Sequence, residues 1–357
     1  MDLWCNPDIA VGLPKFDVLS KNTKIIVNYS FGIGLFAWLG YSIYHQIIQQ
    51  RNLPVALHRL IAGLSGSGQW LLGLISLLMI ANWTLEAVKW RILISPLEKL
   101  SLGKALKAVF SGVAIAISTP NRIGEFGGRI LYLREESRLE AIPLTFVGSL
   151  AQLIATFCIG IPACGFLLFY PLFILQVPFL SSLLVRIFLL TVLCGFLTGL
   201  LLLYFKLDVF RKWMLNWPLL ARMDKYFRGL SFIGNKSLKW LLLLSVTRFV
   251  IFSAQYLFLL QIFGVQIPVN QGFLAVSMLY LVLSVIPTVA VAELGIRGQI
   301  GLLLLGLFSS NKLGIVAATV GIWLINLLFP ALIGTFLLVG IKVYKNPNIV
   351  TQNSREL

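Results

Sequence analysis

Histidine is nearly missing from this 357-residue chain: His45 and His58 are the only two, and neither lies in a stretch with partner ligands. That removes the commonest zinc ligand and the commonest acid–base side chain, so metal chemistry and His-based catalysis are not expected. Cysteine is scarce as well. Cys158, Cys164 and Cys194 sit inside apolar runs and Cys5 stands alone, which gives neither a disulfide framework nor a CxxC site. Charge is thin: 12% of residues are charged, about half the usual share of a soluble domain. No Gly-rich phosphate loop is present, so nothing in the chain points to ATP as an energy source.

Apolar side chains fill the space that these absences leave. They make up 58% of the chain and the mean hydropathy is +0.90. A soluble fold of this length cannot hide so much apolar surface, so the surrounding solvent is lipid and the expected fold class is an all-α, polytopic membrane protein. The net charge of +16 then reflects the Lys/Arg excess of cytoplasmic loops rather than a nucleic-acid partner.

Six segments are long and apolar enough to cross a bilayer: Ile25 to Ile48, Trp70 to Ile94, Ile142 to Tyr170, Leu183 to Phe205, Trp240 to Phe263 and Gly314 to Ile341. The first is too long for a signal-peptide core and is expected to remain as a span. Two further apolar stretches are interrupted. Lys104 to Leu133 is broken at Ser118-Thr119-Pro120-Asn121-Arg122, and Gln271 to Phe308 is broken from Pro287 to Arg297. The piece after the second break, Gly298 to Phe308, would span about 16 Å as a helix, half a membrane, so both stretches read as re-entrant hairpins. Under that count every strongly basic segment falls on one side. The connection 206–239 carries eight Lys/Arg against Asp208 and Asp224, and both termini are placed with it in the cytoplasm of a cell (inner) membrane protein.

Both breaks carry one pattern: Glu125-Phe126-Gly127-Gly128-Arg129 and Glu293-Leu294-Gly295-Ile296-Arg297, each preceded by a proline, Pro120 or Pro287. Each hairpin is followed by a long span, giving a single membrane domain, 1–357, with a first repeat at 68–170 and a second at 238–342. Three spans separate the hairpins, so the second repeat is expected to be inverted relative to the first, an arrangement of secondary transporters with a site near the midplane. Four charges on lipid-facing helices would cost roughly 10 kcal/mol, so they are expected to face one another or water. Glu and Arg four apart can pair on a helix. Two readings stand: substrate-binding residues Arg122, Glu125, Arg129, Glu293 and Arg297, with Pro120, Gly124, Gly127, Gly128, Pro287 and Gly295 as hinges; or structural ion pairs that pin the hairpin tips without touching a ligand.

Asn82, Glu86, Gln152, Arg248 and Asn326 are candidates for the cavity wall. For Gln152 and Asn326 interhelical hydrogen bonding is the first reading, and Arg248 either snorkels or lines the cavity. Lys89, Trp90 and Arg91, which follow Asn82 and Glu86, either extend that cavity or, the favoured reading, form an interfacial anchor of aromatic and basic residues. Arg211 to Lys239, with Trp213, Trp217, Phe227 and Phe232, reads as an amphipathic surface helix that binds anionic lipid headgroups.

Trp90-Arg91-Ile92-Leu93 at the end of the second span, Pro120-Asn121-Arg122-Ile123-Gly124-Glu125 with Arg129, and the element from Pro287 to Glu293 resemble the membrane domain of lysylphosphatidylglycerol synthases, the flippase-like family. The resemblance runs over nearly the whole chain and implies movement of a lipid headgroup between leaflets. The lipid would be an aminoacyl-phospholipid, another phospholipid or a lipid-linked glycan carrier. The soluble aminoacyl-transferase domain of the synthases is missing, so this chain is expected to be no enzyme, to use no cofactor, and to associate with a separate transferase if one is needed. Thr288-Val289-Ala290-Val291-Ala292 stands where the family commonly has a Gly-Gly pair, a departure that bears on the substrate. Rival expectations are a transporter of a small anionic solute, an intramembrane enzyme with Glu125 or Glu293 as base, and a membrane partner subunit for a transferase.

Overall fold

The computed structural model describes residues 53–63, 67–117, 122–217, 224–286 and 290–339, with a few isolated positions besides. Among the described residues every regular element is helical, as apolar segments in lipid require, because the backbone there must satisfy its own hydrogen bonds. The described helices of seven or more residues are α1 (Leu53–Gly63), α2 (Ser67–Ile94), α3 (Leu102–Ile117), α4 (Gly124–Ile130), α5 (Ala141–Leu168), α6 (Leu183–Phe205), α7 (Leu207–Leu215), α8 (Asn235–Ile262), α9 (Val269–Val285), α10 (Ala290–Leu305), α11 (Lys312–Trp323) and α12 (Phe329–Val339). A π-helical turn, Leu324–Leu328, joins the last two into one span.

Five helices in the described residues are long and apolar enough to cross a membrane: Gly68–Ile94, Ala141–Leu168, Leu183–Phe205, Asn235–Ile262 and Lys312–Leu338. They agree within a few residues with five of the expected spans, and this is a multi-pass membrane protein. The span expected at Ile25 to Ile48 lies almost wholly outside the described residues. The expected hinges Pro120 and Pro287 lie outside them too.

Each interrupted stretch is a pair of packed helices, α3 with α4 and α9 with α10. In the first, Thr119 bridges the break: its hydroxyl donates to Ala116 O at 3.2 Å and accepts the Gly124 N–H at 2.8 Å. The crossing is held close by glycine on both sides. A Cβ on Gly128 would lie 2.5 Å from Gly112 Cα and from the Ser111 carbonyl, so no larger residue fits there without moving α3. The second break is shorter than the sequence suggests. The helix resumes at Ala290 and carries the whole Glu293-to-Arg297 motif, because no residue from 290 to 305 is a proline and the i,i+4 ion pair favours the helix.

The two sequence repeats exchange partners in packing. The first helix of each hairpin lies against the final span of the other repeat, α3 against α12 and α9 against α5, while the opening spans α2 and α8 pack on each other. Two apolar cores result. One joins the first halves of α5 and α8 to the second half of α2 and to α3. The other joins their opposite halves to α9, α10 and α11. Between the two cores lies a level of polar side chains. α6 has few buried residues and presents Leu184, Phe188 and Phe196 outward, as a lipid-facing helix does.

The connection 206–239 is not the single amphipathic helix expected. The nine-residue α7 is followed, after residues outside the description, by a short turn Asp224–Phe227 and a 3-10 turn Arg228–Phe232. Pro218 in the intervening sequence supplies no N–H for a continuing helix. Arg211 ties the two parts together, donating to both Asp224 oxygens at 2.7 and 2.9 Å and to Ser231 Oγ at 2.8 Å. Those hydrogen bonds hold the Asp224 carboxyl below its ordinary range.

Candidate functional site

The polar level is built from the middles of four spans. Counting from end to end, the halfway points fall at position 81 of the first, between 154 and 155, between 248 and 249, and at 325 of the last. Asn82, Gln152, Arg248 and Asn326 stand within three residues of those points, about 5 Å at the helical rise. α2 contributes most because Asn82, Glu86 and Lys89 recur at i, i+4 and i+7, one face of a helix. Asn326 occupies the π-helical turn, a distortion that re-aims side chains and often marks functional positions.

Glu86 is the hub. Arg129 Nη2 donates to its Oε1 at 2.7 Å, Arg248 Nη1 donates to Oε2, and Lys89 Nζ lies 3.4 Å from Oε2. Arg248 also donates from Nε to Asn82 Oδ1 at 2.9 Å and from Nη1 to Gln152 Oε1 at 3.2 Å. Lys89, 1% exposed, adds bonds to Gly148 O at 3.4 Å and Gln152 Oε1 at 3.5 Å. Gln152 in turn donates to Ser245 O at 3.2 Å, and Asn326 donates to Gln255 Oε1 at 3.1 Å. One buried carboxylate therefore holds three buried cations from three different segments. Charge at this depth is tolerated only when paired in this way.

The two hairpin motifs meet this level differently. In the first, Arg129 is 3% exposed and shares Nη2 between Glu86 and Glu125. In the second, Arg297 donates to Glu293 Oε1 through Nε at 2.9 Å and through Nη2. Arg122, in the first break, has φ of 58°, a left-handed backbone that a non-glycine residue adopts at a cost of about 1–3 kcal/mol.

A cavity of about 730 Å³ opens within this framework. Glu86, Lys89, Arg122, Glu125, Arg248, Glu293 and Arg297 all line it, so both hairpins and both repeats contribute charge to one space. With Arg129 directly behind Glu86, five cations face three carboxylates, an excess of two positive charges. Four lining residues also hold buried polar atoms with no hydrogen-bond partner: Trp83 Nε1, Arg122 Nε, Tyr280 OH and Trp323 Nε1. Each unmade bond costs about 1–3 kcal/mol, a cost that a bound acceptor would relieve. Among the described residues no group of three or more His, Cys, Asp or Glu side chains is placed to hold a metal ion.

The family model described as the lysylphosphatidylglycerol synthase TM region matches residues 25–334. The chain belongs to that family. No curated protein and no solved structure matches it. Residues 25–334 of this member of the lysylphosphatidylglycerol synthase membrane-region family include every charged side chain of the cavity and both hairpins.

Of the residues singled out by sequence, Asn82, Glu86, Gln152, Arg248 and Asn326 meet at the polar level, and Arg122, Glu125, Glu293 and Arg297 line the same cavity. Arg248 lines the cavity, where its guanidinium also lies 5.8 Å from the Trp83 ring centre. Of the glycines, Gly124 and Gly128 are sterically required and Gly295 is buried, whereas a Cβ on Gly127 would meet nothing within 4 Å.

The favoured reading of the α2 end is overturned as well. Lys89 and Trp90 are no interfacial anchor: both are fully buried, Lys89 on Glu86 and Gln152, Trp90 donating from Nε1 to Thr145 Oγ1 at 3.3 Å. Arg91 alone of the three is exposed. The signal was available, since Lys89 follows Glu86 by three residues and so shares its helix face. Sequence reading also missed Trp83, Tyr280 and Trp323, which looked like apolar bulk.

Proposed function

We propose that this chain is a lipid translocase, which carries the polar headgroup of a membrane lipid between leaflets while the acyl chains stay in the bilayer. The observation that carries the reading is the charged cavity at half depth, walled by both Glu-x-Gly-x-Arg motifs and enclosed by apolar spans. A headgroup entering it exchanges water for fixed charges and hydrogen-bond donors, which removes much of the cost of crossing hydrocarbon. Membership of a family of lipid-synthase membrane regions supports a lipid as cargo. The chain itself is assigned no bond-making step.

In this reading the two hairpins are re-entrant, the repeats are inverted, and the hairpins open the cavity to one leaflet at a time. The reciprocal packing, α3 on α12 and α9 on α5, supports that relation, because an axis exchanging the repeats would generate one contact from the other. Both termini and the basic connection 206–239 lie on the cytoplasmic side of the cell membrane, where exposed Trp213, Trp217 and Phe232 suit a surface rich in anionic headgroups. A separate transferase that makes the lipid is the partner such a protein calls for.

The test uses purified protein in sealed liposomes containing a headgroup-labelled phospholipid and an impermeant quencher outside. The expected result is loss of inner-leaflet label at least tenfold faster than in protein-free vesicles. Equal rates would overturn the reading. Uptake of inorganic phosphate into vesicles of neutral lipid, with no lipid exchange, would instead identify a carrier of small anions.

A further inference from the structure

The cavity's carboxylates are already spoken for. Glu86 is bonded by Arg129 and Arg248, Glu125 by Arg129, and Glu293 by Arg297. Each carboxylate is already matched by an arginine, so an amine in the cargo would add to the positive excess instead of meeting an unpaired charge. The buried polar atoms left without a partner are of the opposite kind. Trp83 and Trp323 carry indole N–H groups, and Arg122 a guanidinium Nε–H, that can donate and cannot accept, and all three are buried, unpartnered and part of the cavity wall. Trp83 is 4% exposed, so lipid or bulk water does not satisfy it from outside. Tyr280 adds a hydroxyl able to donate. These donors stand in a space with two more positive than negative side chains around it.

We infer that the cavity is a receptor for a phosphate group on an amine-free headgroup, held by Arg122 and the Trp83, Trp323 and Tyr280 donors. A phosphate offers several strong acceptor oxygens and the negative charge that balances the excess, and charge-assisted bonds to arginine are the strongest available to it. A zwitterionic or aminoacylated headgroup brings a cation that meets arginine-engaged carboxylates and surplus positive charge. This deepens the translocase reading and rests on it for the lipid that carries the phosphate; the phosphate site itself rests on the donors.

The full chain, purified in mild detergent, is tested by lipid retention in native mass spectrometry and by thermal stability. The probes are phosphatidic acid, phosphatidylethanolamine and inorganic phosphate. Phosphatidic acid is expected to bind at least tenfold more tightly than phosphatidylethanolamine and to raise the melting temperature. Trp83→Phe and Trp323→Phe keep the ring and remove only the donor. Each is expected to weaken phosphatidic acid about tenfold, leave phosphatidylethanolamine unchanged, and leave the lipid-free melting temperature unchanged or higher, since no existing bond is lost. Arg122→Gln is expected to weaken phosphatidic acid by more than either.

Equal retention of the two lipids, or indole variants that bind phosphatidic acid like the unaltered protein, would overturn the inference. Stabilisation by inorganic phosphate alone, matching that by the lipid, would uphold the phosphate site while removing the translocase reading. Tight phosphatidic acid binding without leaflet transfer would do the same. Transfer of labelled lipid that ignores the phosphate donors would remove this inference and keep the translocase.

Discussion

The two Glu-x-Gly-x-Arg motifs share their letters and their i,i+4 ion pair, yet they sit in different mechanical settings. The first lies on the seven-residue α4, pressed against α3 at Gly112 and Gly128, and its Arg129 shares Glu86 with Arg248 and Lys89. The second lies on the sixteen-residue α10, where Glu293 and Arg297 bind each other and face the cavity. The local pattern sets the pair; the surrounding helices decide whether that pair is an anchor or a working surface. The first copy ties its arginine into the polar level, whereas the second pairs only within itself, and in the proposed function it is the second that meets the cargo.

The sharpest way to break that contrast is to remove the hub. Glu86→Gln strips the counter-charge from Arg248 and Lys89 and leaves Arg129 with Glu125 alone, and removing one partner from a buried charge network costs about 3–5 kcal/mol. A large drop in melting temperature, or no folded protein, is the expected outcome; unchanged melting would mean that the first copy anchors nothing. Next in size is the paired test of the arginines. Arg129→Ala should destabilise by about 2–4 kcal/mol, because Glu86 and Glu125 both lose a partner, whereas Arg297→Ala should cost less, about 1–3 kcal/mol, because the buried Glu293 alone loses its partner. Equal melting shifts would erase the distinction between the copies.

Smaller again is the glycine comparison. Gly128→Ala should destabilise by about 1–3 kcal/mol through overpacking on α3, while Gly127→Ala, with open space around it, should be neutral or stabilising by up to about 1 kcal/mol, the usual gain of alanine over glycine in a helix. Thermal melting of the two variants decides it.

The smallest effect lies outside the membrane, at Glu98. Burial pushes its carboxyl up, but Lys104 Nζ at 3.0 Å and the Arg134 N–H at 3.1 Å outweigh it and hold the pKa below its ordinary 4.5. A depressed folded pKa contributes stability that is present above 4.5 and is lost as pH falls through the folded value. Glu98→Gln should therefore cost about 0.2–1 kcal/mol at neutral pH, and the difference from the unaltered protein should shrink in acid.

Much of this was legible in the sequence because lipid leaves the chain few choices. Apolar runs of span length can only become helices, and Leu183 to Phe205 is helical over the very residues expected. The polar members of those spans were legible for the same reason: a side chain such as Asn82, Glu86 or Arg248 in hydrocarbon must have a partner, so its presence announces a site. What sequence could not show was which partner. That Glu86, rather than a member of either repeated motif, is the hub follows from α2 packing on α8 and lying near α4, contacts more than 40 residues apart in sequence. Lys89 and Trp90 were misread because a basic–aromatic cluster near the end of an apolar run has the composition of a membrane-interface anchor; here both turn onto α5, Lys89 against Gly148 and Gln152 and Trp90 against Thr145. The indole donors of Trp83 and Trp323 were invisible for a simpler reason, since tryptophan in an apolar helix serves equally well as bulk.

The central claim is that the second motif's charge handles a polar cargo at half depth. Its most direct test is leaflet transfer of headgroup-labelled lipid by Arg297→Ala and Arg297→Lys in sealed liposomes, at matched amounts of folded protein. The account predicts transfer at least tenfold slower for the alanine variant, partly restored by lysine, with both variants still folded at the assay temperature. Transfer at the unaltered protein's rate by a folded Arg297→Ala protein would contradict it.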